Sequence, residues 1–164
     1  MTVGRLFARV PARRKFLRTP RAETGRVRRV IRDLAAAHPG VHFVMTSDGV
    51  TRLELPAHRT LRDRLVAILG RELADSLIEI EAVRDGVSVT GVVGTPETAR
   101  PASTHQIICL NGRPIADRAI KQALREAYRG LIEPSRHPVA ALFIGVDPSR
   151  VDVNAVSYTH LRAH

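Results

Sequence analysis

The amino-acid sequence predicts an α+β fold. Residues 41–55 and 77–93 each contain two strand-like runs around a short turn that ends in glycine, which is typical of β-hairpins. Helical spacing of apolar residues occurs before and between these hairpins, and the continuous apolar run at 139–146 indicates a strand buried on both faces. The 164 residues are enough for one ordinary domain or one and a half small ones.

The N-terminal part should contain a short strand at 2–10, a short helix at 11–17 and then a longer helix. Thr19 is a suitable N-cap for the longer helix, with Pro20 at its first position. Its apolar residues recur at i, i+3, i+4 and i+7, which predicts a face packed against the core. Its arginines should form a basic stripe on the opposite, outer face. The apolar set is Val27, Val30, Ile31 and Leu34, and the basic set is Arg21, Arg28, Arg29 and Arg32.

The remaining elements follow from turn and capping residues. Asp48-Gly49 and Asp85-Gly86 should reverse the two hairpins. Thr60, with Asp63 three residues later, should cap a helix that ends at Gly70. Residues 95–104 should form a mobile loop. The last predicted elements are a strand at 106–110, a sharp turn at 111–114, a helix capped by Asp117, the strand at 139–146 and a strand from 151 to 154.

The positive charge is concentrated at one end of the chain. The net charge is +10, and residues 1–32 carry eleven Lys and Arg against a single acidic residue, Glu23. Such a segment attracts nucleic-acid phosphates, anionic lipid or acidic partner surfaces, although a solvated arginine-rich helix would have the same composition. No apolar run is long enough to span a bilayer, and Cys109 is the only cysteine. We therefore expect a soluble protein from a reducing compartment, with no disulfide.

Self-contained catalytic motifs are absent from the sequence. No glycine-rich phosphate loop of the P-loop or dinucleotide type, nucleophile elbow or zincin motif occurs, and the seven histidines lack metal-ligand spacing. Cys109 lies in an apolar strand, which favours a buried, inert thiol over a nucleophile. Glu79 and Glu81 share a strand face that is best explained as solvated. These residues alone do not predict a catalyst.

Two arginine-bearing segments are candidate phosphate contacts. Arg113 follows a sharp turn between a strand and a helix, and Arg118 could join it in holding a phosphate. The consecutive cations Arg13, Arg14 and Lys15 stand at a predicted helix start, where they oppose the helix dipole unless an anion binds. In both places merely solvated side chains are the alternative interpretation.

Three motifs resemble segments of the MutL family of DNA mismatch-repair proteins. Leu6-Phe7 followed by VPARRKFL at 10–17 resembles the family's DLF-x-N-x-PARRKFL segment. LNGR at 110–113 resembles its VNGR, and VDVN at 151–154 resembles the start of its VDVNVHPAK. The order and spacing agree over nearly the whole chain. The resemblance implies that residues 1–40 end the ATPase domain of the gyrase, heat-shock, histidine-kinase and MutL superfamily, and that residues 41–154 form the transducer domain.

The family resemblance also implies a detailed fold and a function. The transducer domain is a two-layer β-sheet with helices on one face, related to the second domain of a small-subunit ribosomal protein, and it contains a left-handed βαβ crossover. The family couples ATP-driven homodimerisation to DNA binding and to communication with MutS and with a downstream nuclease and helicase in the bacterial cytoplasm. Its DNA path is a positively charged groove, to which Arg113 and Arg118 would contribute.

The chain departs from the family at two places. The family's nucleotide site, with its magnesium-binding Asn and its glycine-rich lid, lies upstream of the matched segments, so ATP and magnesium are expected to bind the intact protein but not this chain. The His-Pro-Ala-Lys expected after residue 154 is replaced by AVSYTHLRAH, which we interpret as a non-native tail at 155–164. Two alternatives remain: a basic RNA-binding or ribosome-associated module, and a structural interaction domain whose arginines pair with acidic partners.

Overall fold

The computed structural model describes residues 19–151 of the chain, together with Val10, Ala12 and Lys15. The strand predicted at 2–10, the helix at 11–17 and the strand at 151–154 therefore fall wholly or mostly outside the described residues. The helices are α1 (Pro20–Ala37), α2 (Leu61–Leu69) and α3 (Arg118–Ala127). The strands are β1 (Phe43–Ser47), β2 (Val50–Leu55), β3 (Leu77–Arg84), β4 (Val87–Gly94), β5 (Gln106–Leu110), β6 (Arg113–Pro114) and β7 (Ala140–Val146).

Five strands form one sheet in the order β3-β4-β7-β5-β6, while β1 and β2 form a separate two-stranded sheet. All neighbours are antiparallel except β5 and β7, which are parallel. Since parallel neighbours need a crossover connection, the chain leaves β5, passes through β6 and α3, and returns as β7. The α+β class is confirmed, and this connection is the βαβ crossover that the family resemblance implies. Its left-handedness stays a prediction.

Both predicted hairpins are confirmed, and their turns have the backbone that their residues favour. Asp48 and Gly49 have φ angles of 53° and 75°, and Asp85 and Gly86 have 51° and 76°. Two consecutive positive φ values are the mark of the type I′ turn, whose twist matches that of the flanking strands. The Asp-Gly sequence therefore sets both reversals locally.

The predicted helix starts are also confirmed. The Thr60 hydroxyl accepts a hydrogen bond from the Asp63 amide at 3.1 Å, and Gly70 follows α2 with a φ of 127°. The Thr19 hydroxyl accepts from the Ala22 amide at 3.4 Å. Side-chain acceptors at these positions satisfy amides that have no partner inside the helix.

Different helices cover the two faces of the five-stranded sheet. Ala141 of β7 packs with residues of α1 and α2, whereas its neighbours Ala140 and Leu142 pack with Leu124 of α3 on the other face. The helices are thus divided between the two faces of the sheet. The family resemblance implies helices on one face only. The reason is the run at 139–146: because β7 is apolar on both faces, each face needs a cover.

Helix α1 packs through a face other than the predicted one. Val27 and Val30 are 49% and 57% exposed, whereas Ala35 and Ala36 are fully buried against the core. Arg32, expected on the outer stripe, is half-buried and donates a hydrogen bond to the Ile68 carbonyl at 3.3 Å. The predicted apolar contact face is therefore wrong for the described part of the chain, because two small alanines allow a closer approach of the helix to its neighbours.

Arg64 connects the small sheet to the rest of the molecule, and the sequence analysis missed it. Its side chain is fully buried, and its guanidinium donates to the carbonyls of Leu55 at 3.1 Å and Pro39 at 2.8 Å and to that of Val41. The guanidinium also lies 5.9 Å from the centre of the Phe43 ring. Carbonyl dipoles, rather than a carboxylate, stabilise this buried charge.

The segment expected to be a mobile loop is packed. It forms short 3₁₀ turns at Pro96–Thr98 and Ser103–His105. Thr98 and Ala99 are buried, and Arg100 exchanges backbone hydrogen bonds with His137. A connection rich in small polar residues is therefore fixed along the body by its own backbone contacts.

Candidate nucleic-acid interface

Arg113 has a defined backbone position. Asn111 and Gly112 are the two turn residues, with φ angles of 47° and 76°, and Arg113 begins β6 opposite Leu110. The Asn111 side chain donates to the Val146 carbonyl at 2.9 Å and accepts from the Val146 amide at 3.0 Å. This clamp holds the turn against β7, so the exposed Arg113 side chain extends from a fixed base.

Arg118 is the first residue of α3. The Asp117 carboxylate caps this helix by accepting from the Ile120 amide at 2.8 Å. Lys121 and Arg125 follow Arg118 at i+3 and i+7, so the three cations share one side of the helix. Arg125 is tied to the Pro134 carbonyl at 2.6 Å, whereas the exposed Arg118 has no ion pair with any residue in 19–151.

Helix α1 presents a second group of cations. Arg21, Arg28 and Arg29 are exposed, and within the described part of the chain none of them forms an ion pair. Arg26 pairs with Glu23 at 3.2 Å. The exposed cations Arg21, Arg28 and Arg29 of this stripe therefore form no ion pair with a carboxylate of residues 19–151, although Asp33 interacts electrostatically with Arg29.

The two cationic groups meet at one cleft, called here the α1–α3 cleft. Its volume is 470 Å³, and it places Arg29 of α1 and Lys121 of α3 in the same lining. Burial raises the pKa of Asp33, the acidic residue of this cleft, while Arg29, Arg32 and Lys121 oppose that shift. The cleft lining is Arg29, Val30, Asp33, Leu34, Gln106, Ile108, Pro114, Ile115, Ala116 and Lys121.

The cleft shows what sequence reasoning could and could not find. Arg113 and Arg118 are exposed and lie close in sequence to the cleft residues Pro114 and Lys121, but neither lines the cleft, and their contact with phosphate stays a prediction. Arg13 and Arg14 lie outside the described residues, and Lys15 is described as exposed. The sequence analysis missed that Arg29 and Lys121 line the same cleft. These residues are 92 positions apart and share no sequence signal, and the packing of α1 beside β6 brings them to the same cleft.

The remaining candidate groups are Cys109, the Glu79 strand face and the metal-binding side-chain types. Cys109 is buried, as predicted. Burial raises the pKa of its thiol to about 11, and Asp33 makes a smaller contribution in the same direction, which favours the unreactive protonated form. Glu79 is exposed and pairs with Arg62 at 3.4 Å. In the described residues no three His, Cys, Asp or Glu are grouped to hold a metal. None of the described helices is long and apolar enough to cross a membrane.

Comparison with known proteins identifies the family. The family model described as "DNA mismatch repair protein, C-terminal domain" matches residues 65–156. The MutL protein of Acidiphilium cryptum is 44% identical over 154 residues, which is 94% of this chain and 26% of that protein. The MutL protein of Rhizobium leguminosarum is 43% identical over 152 residues, covering 91% of this chain and 25% of its own length. The chain thus spans about a quarter of these relatives.

Solved structures show the same fold. The Aquifex aeolicus MutL ATPase domain complexed with ADP superposes with a TM-score of 0.65 at 23% identity, covering 87% of this chain and 50% of that one. The N-terminal domain of a DNA repair protein gives a TM-score of 0.74 at 20% identity, over 90% of this chain and 50% of the other. These matches do not support the RNA-binding alternative. With the family model covering more than half of its residues, the chain belongs to the MutL family of DNA mismatch-repair proteins.

Proposed function

We propose that this chain is the DNA-contacting part of a MutL-type mismatch-repair protein. The observation that carries the proposal is the set of exposed cations on α1, β6 and α3 that have no ion pair within residues 19–151: Arg21, Arg28, Arg29, Arg113 and Arg118. Cations left without carboxylates can exchange the condensed counterions of a DNA backbone for direct contacts. Arginine forks also suit the paired oxygens of phosphates.

The contacts should be largely independent of DNA sequence. Arg113 is held on a short edge strand and Arg118 at a helix start, so both approach a backbone from a surface rather than from an element inserted into a groove. Contacts to phosphates position a protein on DNA without reading bases. Arg13, Arg14 and Lys15, which precede α1, would extend the same basic surface.

The rest of the family's activity is proposed for the intact protein. Residues 1–40 would complete an ATPase domain, residues 41–154 would form the transducer domain, and residues 155–164 would be a non-native tail. ATP-driven homodimerisation with magnesium, and contacts with MutS and with a downstream nuclease and helicase, would then involve residues beyond those described. The setting would be the bacterial cytoplasm, at the nucleoid during repair.

The test is the salt dependence of binding to duplex DNA. Changing Arg113→Ala and Arg118→Ala together should lower the slope of log affinity against log salt by about two, because two phosphate contacts are lost. The matched control changes Arg52→Ala and Arg84→Ala, two exposed arginines on the β1–β2 hairpin and the β3–β4 hairpin. Both double variants lose the same net charge.

The outcomes separate the proposal from its alternatives. A slope that falls only for the Arg113 and Arg118 variant supports the proposed interface. An equal fall for both variants would mean that net charge alone attracts DNA, and an unchanged slope would remove Arg113 and Arg118 from the contact surface. Stronger retention of structured RNA than of DNA would return the RNA-binding alternative.

A further inference from the structure

A second cleft lies on the side of α1 that faces the 3₁₀ turn at Ser103–His105. Its volume is 530 Å³, and it is distinct from the α1–α3 cleft, with which it shares only Arg29 among the lining residues. Four guanidinium groups and a threonine residue line it, with no acidic residue in the lining; Arg26 is paired with Glu23 at 3.2 Å, whereas Arg28, Arg29 and Arg32 form no ion pair within residues 19–151. The lining residues are Ala22, Gly25, Arg26, Arg28, Arg29, Arg32 and Thr104.

The positive charge in this cleft is concentrated and partly buried. Burial lowers the pKa of the Arg32 guanidinium, and the neighbouring Arg28 and Arg29 cations lower it further against the opposing effect of Asp33. Arg32 is held in place by its hydrogen bond to the Ile68 carbonyl at 3.3 Å. Gathering like charges at one surface costs free energy that a bound anion would offset.

The cleft has free space beside Gly25, and a histidine, His105, follows its lining residue Thr104. A side chain added at Gly25, in the middle of α1, would meet no atom within 4 Å of its first carbon. On the opposite wall the Thr104 hydroxyl lies 3.2 Å from Nδ1 of His105. Burial lowers the pKa of His105, and Arg32 and Arg100 lower it further while Glu72 opposes them. His105 therefore responds to the charge in the cleft.

We propose that this cleft binds a phosphate group, with Arg28, Arg29 and Arg32 donating to its oxygens and the Thr104 hydroxyl completing the site. Several guanidinium groups that approach from one helix, facing a hydroxyl from another segment, suit the many acceptor positions of a phosphate better than the planar pair of oxygens in a carboxylate. The phosphate can belong to a DNA backbone or to a free polyphosphate chain such as that of a nucleotide. If the phosphate belongs to DNA, the inference rests on the proposed function, because Arg29 lines both clefts. If it belongs to a free polyphosphate, the inference is independent of the proposed function.

The site is tested by placing a carboxylate in it. Gly25→Glu puts an anion into the free space beside this position, and Gly25→Gln adds a side chain of the same size without charge. Both variants should fold, because Gln and Glu are better helix formers than Gly. We expect the affinity for inorganic tripolyphosphate to fall about tenfold in Gly25→Glu and to stay within about twofold in Gly25→Gln, because only the former introduces like-charge repulsion.

The readout is the ring NMR signal of His105, followed through a pH titration with and without tripolyphosphate. A bound anion neutralises the cations that depress the pKa of His105, so that pKa should rise on binding. The ring signals of His42, beside Glu54 on the small hairpin, serve as the internal reference. Absence of a tripolyphosphate effect on His105, or equal effects in Gly25→Glu and Gly25→Gln, would overturn the proposal.

A short DNA duplex distinguishes the two phosphate sources. If the cleft holds a DNA phosphate, Gly25→Glu should weaken duplex binding while Gly25→Gln does not. If it holds a free polyphosphate, duplex binding should be unchanged in both variants while tripolyphosphate binding still falls in Gly25→Glu. The variant with Arg113→Ala and Arg118→Ala should keep its His105 response to tripolyphosphate, so failure of the proposed DNA interface and failure of this site give different results.

Discussion

The basic helices α1 and α3 are attached to the sheet in opposite ways. Helix α3 buries one large side chain, Leu124, which is only 7% exposed against Ala140 and Leu142. Helix α1 buries two alanines and leaves Val30 57% exposed. A basic surface of similar composition can thus be carried by a helix packed through its apolar stripe or by one packed through its smallest residues.

The difference teaches that an apolar stripe and a contact face are separate properties. A helix lies closest to a neighbour where its side chains are short, as at Ala35 and Ala36, and an arginine one turn earlier in the helix can still reach a carbonyl. In α1 this leaves the valines toward solvent in the described part of the chain and turns Arg32 inward. In α3 the large apolar residue Leu124 is itself the buried contact.

The largest expected effect compares one side chain on each helix. Leu124→Ala should reduce the free energy of unfolding by about 2–4 kcal/mol, because it leaves a cavity between α3 and the sheet. Val30→Ala should change it by less than about 0.5 kcal/mol, since little apolar area is lost and alanine favours the helix. Urea denaturation of both variants measures the difference. Equal losses would mean that the exposed face of α1 is covered after all.

The reverse substitution sharpens the same comparison. Ala36→Leu should destabilise the protein by about 1–3 kcal/mol, because Ala36 is fully buried and its neighbours must move. Ala119→Leu on α3 should be close to neutral, since Ala119 is exposed. Thermal denaturation of the two variants checks this, and a tolerated leucine at position 36 would contradict the close approach of α1.

A smaller difference is expected at the helix caps. Asp117 accepts from the Ile120 amide at 2.8 Å and adds a negative charge at the start of α3, whereas Thr19 accepts at the longer distance of 3.4 Å. Asp117→Ala should therefore cost about 1 kcal/mol and Thr19→Ala about 0.5 kcal/mol or less. Chemical denaturation ranks the two caps, and the opposite order would show that cap geometry does not set their strength here.

The last effect, absent at neutral pH and confined to alkaline pH, concerns the face of the sheet that α1 covers. Burial raises the pKa of Cys109 to about 11, so the folded state keeps a proton that the unfolded chain releases near pH 9. The contribution of this thiol to stability is then complete below pH 9 and is lost as the pH rises toward 11. The alkaline loss of stability should be shallower in Cys109→Ala than in the parent chain. Identical pH profiles would contradict burial of the thiol.

Local features of the fold were predictable, and the reason is chemical. Asp-Gly pairs favour two consecutive positive φ angles, and Thr60 and Asp117 offer a side-chain acceptor to free amides, so hairpins and helix starts depend on a few adjacent residues. For the candidate site, the exposure of Arg113 beside a tight turn followed from the same reasoning. The buried role of Arg64 did not, because its carbonyl partners come from two other segments.

By itself the sequence determined the turns, the caps, the apolar run that became strand β7, the burial of Cys109 and the family. Only the tertiary structure decided which side of α1 is covered, how the helices divide between the faces of the sheet and which cations share a cleft. The physical reason is the distance along the chain over which each interaction acts. A dihedral preference or a cap acts within about four residues, whereas the meeting of Arg29 with Lys121 depends on how two helices pack around a shared sheet edge.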